Sequence, residues 1–212
     1  MKVCEIFKSI QGESSYAGIP CLFIRLTGCN LRCTYCDTKY AYFEGEELSE
    51  DKILNEVHRA GIRLVEITGG EPLLQKGVYK LIKTLLDEGY KVLLETNGSI
   101  SIRDVDRRAV IILDIKTPGS GMDKEMDFSN FDYIKNTDEI KFVITDRRDY
   151  EWSKEIILQH NLKDKSHILI SPAYGFMKPE ELAKWILEDS LEVRLNLQLH
   201  KYIFKYENNR KT

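Results

Sequence analysis

"LVEITGGEPLLQKGVYKLIKTLLDEGYKVLLETNG", residues 64–98, holds two short aliphatic runs with an amphipathic stretch between them. The runs LVEIT (64–68) and KVLLET (91–96) have the length and residue types of buried strands. Between them Leu81, Ile82, Leu85 and Leu86 share one helical face, and Gly89 is placed to stop that helix. Strand, helix and strand in this order leave the two strands parallel, because a right-handed crossover lays the helix back on the sheet.

The same alternation extends outward in both directions. Further strand-like runs are CLFIRLT (21–27), VIILDIK (110–116), IKFVIT (140–145), HILIS (167–171) and VRLNLQL (193–199). Ser49 caps an expected helix carrying Ile53, Val57 and Ala60, with Gly61 placed to end it. Another helix carries Trp152, Ile156 and Ile157, and one more starts at Pro179 and buries Leu182, Trp185 and Ile186. The pattern predicts an α/β fold with mostly parallel strands, either an open or closed βα barrel or a doubly wound sheet. No repeat, linker or low-complexity tract interrupts it, so residues 1–212 are expected to form a single domain.

Polar, glycine-bearing turns gather at one edge. GGEP follows the strand at 64–68, NG follows 91–96, TPGSG follows 110–116 and SPAYG starts at the end of 167–171. In parallel α/β folds that carboxyl edge is where ligands bind. Such turns also need Gly, Pro and Asn for their dihedrals alone.

With 31 basic and 34 acidic residues the chain has a formal net charge of -3, which offers no broad positive surface for a phosphate backbone. Direct nucleic-acid binding is not expected. The opening MKVCEIFKSIQGES lacks the pattern of a signal peptide and no apolar run is long enough for a bilayer, so no membrane association and a cytoplasmic location are expected. Five unevenly spread cysteines argue against a secreted disulfide framework and for metal-ligating thiols. Cys4 and Cys21 read as small buried apolar residues.

The other three cysteines crowd into GCNLRCTYCDT (28–38), where Cys29, Cys33 and Cys36 form CxxxCxxC. Short spacers let three thiolates converge on one inorganic centre. Iron-sulfur clusters normally take four cysteines, so a cubane held by three leaves one iron open to a small molecule. Zinc is the alternative; it needs an open position or a fourth ligand, which Cys21 or His58 would have to bring.

CxxxCxxC, with Tyr35 before its last cysteine and GGEP some forty residues on, resembles the radical S-adenosylmethionine (SAM) superfamily. SIQGES (9–14), FIRLTGC (23–29), CDT (36–38), ETNG (95–98), LDIKTPGSG (113–121) and QLHKY (198–202) narrow the resemblance to the 7-carboxy-7-deazaguanine synthase family, over nearly the whole chain. The resemblance implies a modified, shortened (βα) partial barrel of the radical SAM type and a homodimer. It implies a lyase that converts 6-carboxy-5,6,7,8-tetrahydropterin to 7-carboxy-7-deazaguanine and releases ammonia, in the route to queuosine and other deazapurines of tRNA. Its cofactors would be a 4Fe-4S cluster, catalytic SAM and Mg2+, with an external flavodoxin-like or ferredoxin-like electron donor.

Site residues follow from the same resemblance. Cys29, Cys33 and Cys36 would hold the cluster, and the radical chemistry would rest with SAM and that cluster rather than with a catalytic side chain. SAM would meet Gly69 and Gly70, the Glu71 carboxylate through its ammonium, Gly98, and Lys116, Thr117 and Pro118, where many relatives carry Ser-Pro-Lys. Lys116 also reads as an ion-pair partner of Asp114. The pterin would meet Ile10, Gln11, Gly12, Glu13, Arg25 and Thr96, and Thr38 would bind magnesium beside the substrate. The loop here reads GES where many relatives read GEG. Gln198, His200 and Lys201 resemble the family's terminal strand, and the tail KYENNRKT (205–212) either closes the site or frays. Rival readings are another radical SAM enzyme of the glycyl-radical-activase type and a non-catalytic metal-binding module.

Overall fold

A computed structural model describes residues 1–204. Strand β1 (Lys2–Ile10) turns back into β2 (Pro20–Leu26), and β3 (Glu46–Glu47) adds to the free side of β1. From β2 onward every pairing is parallel. The sheet continues through β4 (Leu64–Gly69), β5 (Lys91–Thr96), β6 (Val110–Ile115), β7 (Glu139–Ile144), β8 (His167–Pro172) and β9 (Arg194–Leu195), in spatial order β3-β1-β2-β4-β5-β6-β7-β8-β9. The crossovers include α1 (Glu50–Ala60), α2 (Gly77–Asp87), α3 (Arg147–Gln159) and α4 (Pro179–Glu188). This is the mostly parallel partial barrel expected from the sequence.

Alternation along the strands divides the sheet's two faces. Ile24, Val65, Ile67, Val92, Leu94, Leu113, Ile140, Phe142 and Ile170 all belong to the main core, which also takes Ile53 and Val57 of α1, Leu81, Ile82 and Leu85 of α2 and Leu182 of α4. Each fully buried Ile or Leu contributes roughly 1.5–3 kcal/mol relative to exposure. Residues of the opposite parity point to the other face. There Cys21, Leu64, Leu93, Val110 and Ile112 make a second, smaller apolar layer, and the positions beyond it carry polar groups.

Local chemistry sets the boundaries. Ser49 accepts a hydrogen bond from the Lys52 N–H at 3.3 Å and Gly61 closes α1 at φ 68°. Asp146 caps α3 by accepting from the Asp149 N–H at 3.0 Å, and Pro179 occupies the first turn of α4.

Two expectations change. β1 pairs along its length with β2, so the opening segment belongs to the sheet. The alternating run at 193–199 contributes only Arg194–Leu195 as β9, and QLHKY is not a terminal strand: Leu199–Ile203 is a short helix, α5. The reason is polar. Asn196 Nδ2 donates to Ser171 Oγ at 2.8 Å, its Oδ1 accepts from the Ser14 N–H at 2.9 Å, and Gln198 Nε2 donates to Glu13 Oε1 at 2.8 Å. With the Leu199 N–H donating to Gly12 O at 2.7 Å, this segment leaves the sheet to bind loop 11–16. A side chain at Gly12 would collide with His200. The tail at 205–212 lies outside the described residues.

Candidate active site

The polar face of the sheet and its carboxyl edge enclose a cavity of about 550 Å3, within the usual size range of small-molecule sites. Its deeper wall is charged. Glu66 on β4, Glu95 on β5, Asp114 on β6 and Lys141 on β7 line it, with Asp114 and Lys141 directly opposite in register. Lys141 Nζ pairs with Glu95, with Glu13 at 3.1 Å and with Asp114 at 3.3 Å. Burial disfavours the Lys141 charge, yet Asp114, Glu13 and Glu95 outweigh it and hold the ammonium well above its ordinary pKa. Asp114 also takes Lys116 Nζ at 2.8 Å, so Lys116 is both an ion-pair partner and a cavity residue. Among the described residues Glu66 receives only the Gln11 side-chain amide. Burial, reinforced by Glu95 and Glu13, pushes its carboxyl well above the usual range.

Arg25 stands on β2 at the same face. Its Nε donates to Glu5 at 2.8 Å and its guanidinium lies 5.6 Å from the Phe7 ring centroid. Among the described residues its Nη groups make no hydrogen bond, which leaves a fork toward the cavity.

The cysteine loop occupies the carboxyl edge beyond β2. Cys29, Cys33 and Cys36 all line the cavity. The Gly28 N–H donates to Ala41 O at 2.8 Å and the Glu71 N–H to Gly28 O at 2.7 Å, anchoring the loop's start. A Cβ at Gly70 would strike Gly28 O, so the close approach of the two segments requires glycine there. Thr34 ties the loop's middle to the turn after β6, its N–H donating to Ser120 O at 3.0 Å and its Oγ1 to Gly119 O at 2.7 Å. That turn is fixed from behind. Asp149, fully buried on α3, accepts from the Gly119 N–H at 2.7 Å and from the Thr145 N–H and hydroxyl at 3.0 and 2.6 Å.

The donor set fits an iron-sulfur cluster. Burial raises the Cys29 thiol and pushes Cys33 up to about 11, a cost to thiolate that cationic iron offsets. Cys29 Sγ accepts from the Leu31 N–H at 3.4 Å and from Asn97 Nδ2 at 3.8 Å, as ligand sulfurs of clusters do. Among the described residues no three of His, Cys, Asp and Glu converge tightly enough for one metal ion. Neither Cys21 nor His58 lines the cavity: Cys21 lies in the apolar layer and His58 pairs with Glu88 at 2.7 Å on the outer side.

Of the residues expected at the site, Ile10, Gln11, Gly12, Glu13, Arg25, Thr38, Gly69, Gly70, Thr96 and Lys116 line this cavity with the three cysteines. Glu71, Gly98, Thr117 and Pro118 do not. Glu71 is fully buried and its carboxylate accepts from the Leu73 N–H at 2.9 Å, the Asn97 N–H at 2.7 Å and the Thr96 hydroxyl at 2.8 Å. It is a strut between the ends of β4 and β5, with three of its acceptor sites filled by protein donors. Thr117 Oγ1 is likewise spent on Val143 O at 2.8 Å. Glu66, Glu95, Asp114 and Lys141 were not expected as site residues, although each interrupts an apolar strand with a charge. Lys201 also lines the cavity and donates to Asp37 Oδ2 at 2.7 Å, clasping α5 to the cysteine loop.

Residues 23–114 match the Radical SAM superfamily. The chain is 46% identical to 7-carboxy-7-deazaguanine synthase of Koribacter versatilis, covering 98% of each chain, and 44% identical to the synthase of Chlorobaculum tepidum, covering 96% of this chain and 94% of that one. Its fold superposes on QueE from Escherichia coli with a TM-score of 0.77 at 24% identity, covering 94% of both chains. Streptococcus suis SuiB bound to S-adenosylmethionine matches with a TM-score of 0.56 at 15% identity, over 90% of this chain and 52% of that one.

Proposed function

The chain belongs to the 7-carboxy-7-deazaguanine synthase family of the radical SAM superfamily, and we propose that the cavity described above is where it carries out that family's reaction. The substrate is then 6-carboxy-5,6,7,8-tetrahydropterin and the product 7-carboxy-7-deazaguanine, with ammonia released. The observation that carries this reading is the juxtaposition of three cysteines at the carboxyl edge with Arg25 and a layer of buried carboxylates on one cavity wall.

Cys29, Cys33 and Cys36 would hold the 4Fe-4S cluster, which with SAM would supply radical chemistry. Gly69 and Gly70 line the cavity edge against which the SAM methionine would lie, and Lys116 faces it from just beyond β6. Arg25 offers its fork to the substrate carboxylate. Thr38 Oγ1, which donates to Asp37 Oδ1 at 3.0 Å, would offer a hydroxyl oxygen to Mg2+, a hard cation that would help hold the substrate carboxylate. The apolar layer beneath excludes water from the far end. A flavodoxin-like or ferredoxin-like donor reduces the cluster, and the protein works as a cytoplasmic homodimer. No helix among the described residues is long and apolar enough to cross a membrane.

Anaerobic incubation with the carboxytetrahydropterin, SAM, Mg2+ and a reductant tests the reading. A deazapurine chromophore is expected, with SAM regenerated and brown protein carrying about four iron and four sulfide. SAM cleavage without that chromophore would point to a radical SAM enzyme acting on something else, and a colourless protein to a metal-binding module.

A further inference from the structure

Resting on the pterin reading above, we propose that Glu66 is a specificity-determining residue that accepts a hydrogen bond from the exocyclic 2-amino group of the substrate. The argument is one of elimination among the acids in and just behind the deep wall of the cavity. Glu71 is consumed by three internal donors. Glu95 takes Lys141 and the Thr68 hydroxyl, and Glu13 takes Lys141 and Gln198. Among the described residues Asp114 keeps one oxygen without a donor, but its charge is balanced by two lysines.

Glu66 is the exception. It is 3% exposed and lines the cavity. Among the described residues no cation pairs with it and Gln11 is its one hydrogen-bond donor. Gln11 is itself immobilised, since its Oε1 accepts from the Glu13 N–H at 2.8 Å. The amide therefore engages a defined Glu66 oxygen, Oε2, and leaves Oε1 for a ligand. A buried carboxyl so poorly satisfied needs a donor from the molecule that fills the cavity.

Its place matches one end of a pterin. Glu66 is opposite Phe23 in register and Arg25 is opposite Thr68, so the backbone of the acid sits two residues deeper along the strands than that of Arg25, roughly 6–7 Å. A flat bicyclic acid whose carboxylate meets Arg25 presents its aminopyrimidinone end to this depth. Carboxylate and carboxylic acid alike keep an oxygen that accepts from an amino group, so the requirement survives whichever form the burial favours.

The discriminating ligands are 6-carboxypterin and 6-carboxylumazine, which differ in bearing an amino group or an oxo group at C2. Their binding to anaerobically reconstituted holoenzyme with SAM and Mg2+ is read by pteridine fluorescence. Wild-type protein is expected to prefer the pterin about tenfold to a hundredfold. In Glu66→Met the ratio should fall to about threefold or less, mainly through loss of pterin affinity. Equal binding of the two acids by wild type, a comparison that needs no variant, overturns the assignment; so does a Glu66→Met protein that keeps the wild-type ratio. Binding of neither acid by holoenzyme that cleaves SAM would instead overturn the pterin reading itself, and this inference with it.

Discussion

The cavity has two kinds of wall. Its deep wall is made of regular strands, where Glu66, Glu95, Asp114 and Lys141 are fixed by the two-residue period of the sheet and by one another. Its outer wall, the cysteine loop, has no regular structure between Gly28 and Thr38 and hangs on a few hydrogen bonds to turns that follow other strands. The deep wall is tied together by ion pairs made in forming the fold, whereas the outer wall presents three thiols and few bonds of its own. Chemistry and stability should therefore separate by wall.

The sharpest way to break this contrast is Cys33→Ala. It should abolish the cluster's visible absorption and all product formation, while changing the unfolding free energy of the cluster-free protein by about 1 kcal/mol or less, since only a small half-buried side chain is lost. A large fall in stability would show that the loop supports the fold. Lys141→Met is the converse. It leaves Glu13, Glu95 and Asp114 crowded together and should cost about 3–5 kcal/mol in denaturant unfolding, with cluster assembly intact under conditions where the protein remains folded.

Asp149→Ala probes the joint between the walls. The Gly119 and Thr145 N–H groups lose their acceptor, which should cost about 2–3 kcal/mol and weaken SAM binding, measured by calorimetry on reconstituted protein, through the turn that Thr34 grips. The smallest effect should come from outside both walls. Asp106 is held at about 2 by hydrogen bonds from the Arg108 side chain and N–H, against ~3.9 in an unfolded chain. A carboxyl depressed by folding stabilises above its unfolded pKa and loses that contribution as pH falls through about 2. Asp106→Ala should therefore cost no more than about 1 kcal/mol at neutral pH, discounted for solvent, and the difference from wild type should vanish in acid titrations.

The sequence made one wall more legible than the other. CxxxCxxC and GGEP are compact patterns whose chemistry depends on spacing, and the main strands and helices from 49 to 188 follow from apolar periodicity together with the Ser, Gly and Pro residues that bound them. Glu66, Glu95 and Lys141 each lie in a different strand, and only the sheet's register brings them together. Their signal was a charge interrupting an otherwise buried run. Glu71 was legible in part: its place after two glycines suits a ligand contact, and what the sequence did not show is that the backbone N–H groups of Leu73 and Asn97 also reach its oxygens. At 193–199 alternation suggested a strand, and long-range bonds from Asn196 and Gln198 drew the chain elsewhere.

Those bonds carry a consequence for how the molecule is assembled. Ser14 and Asn196 stand 182 positions apart, and Glu13 and Gln198 stand 185 apart. During synthesis the first hairpin can form early, yet loop 11–16 must wait for nearly all the rest of the chain to leave the ribosome before its partners arrive. The cavity wall is thus completed by one of the last events in the birth of the protein, and a nascent chain stalled short of Asn196 would have its sheet largely built but a gap in the cavity's side.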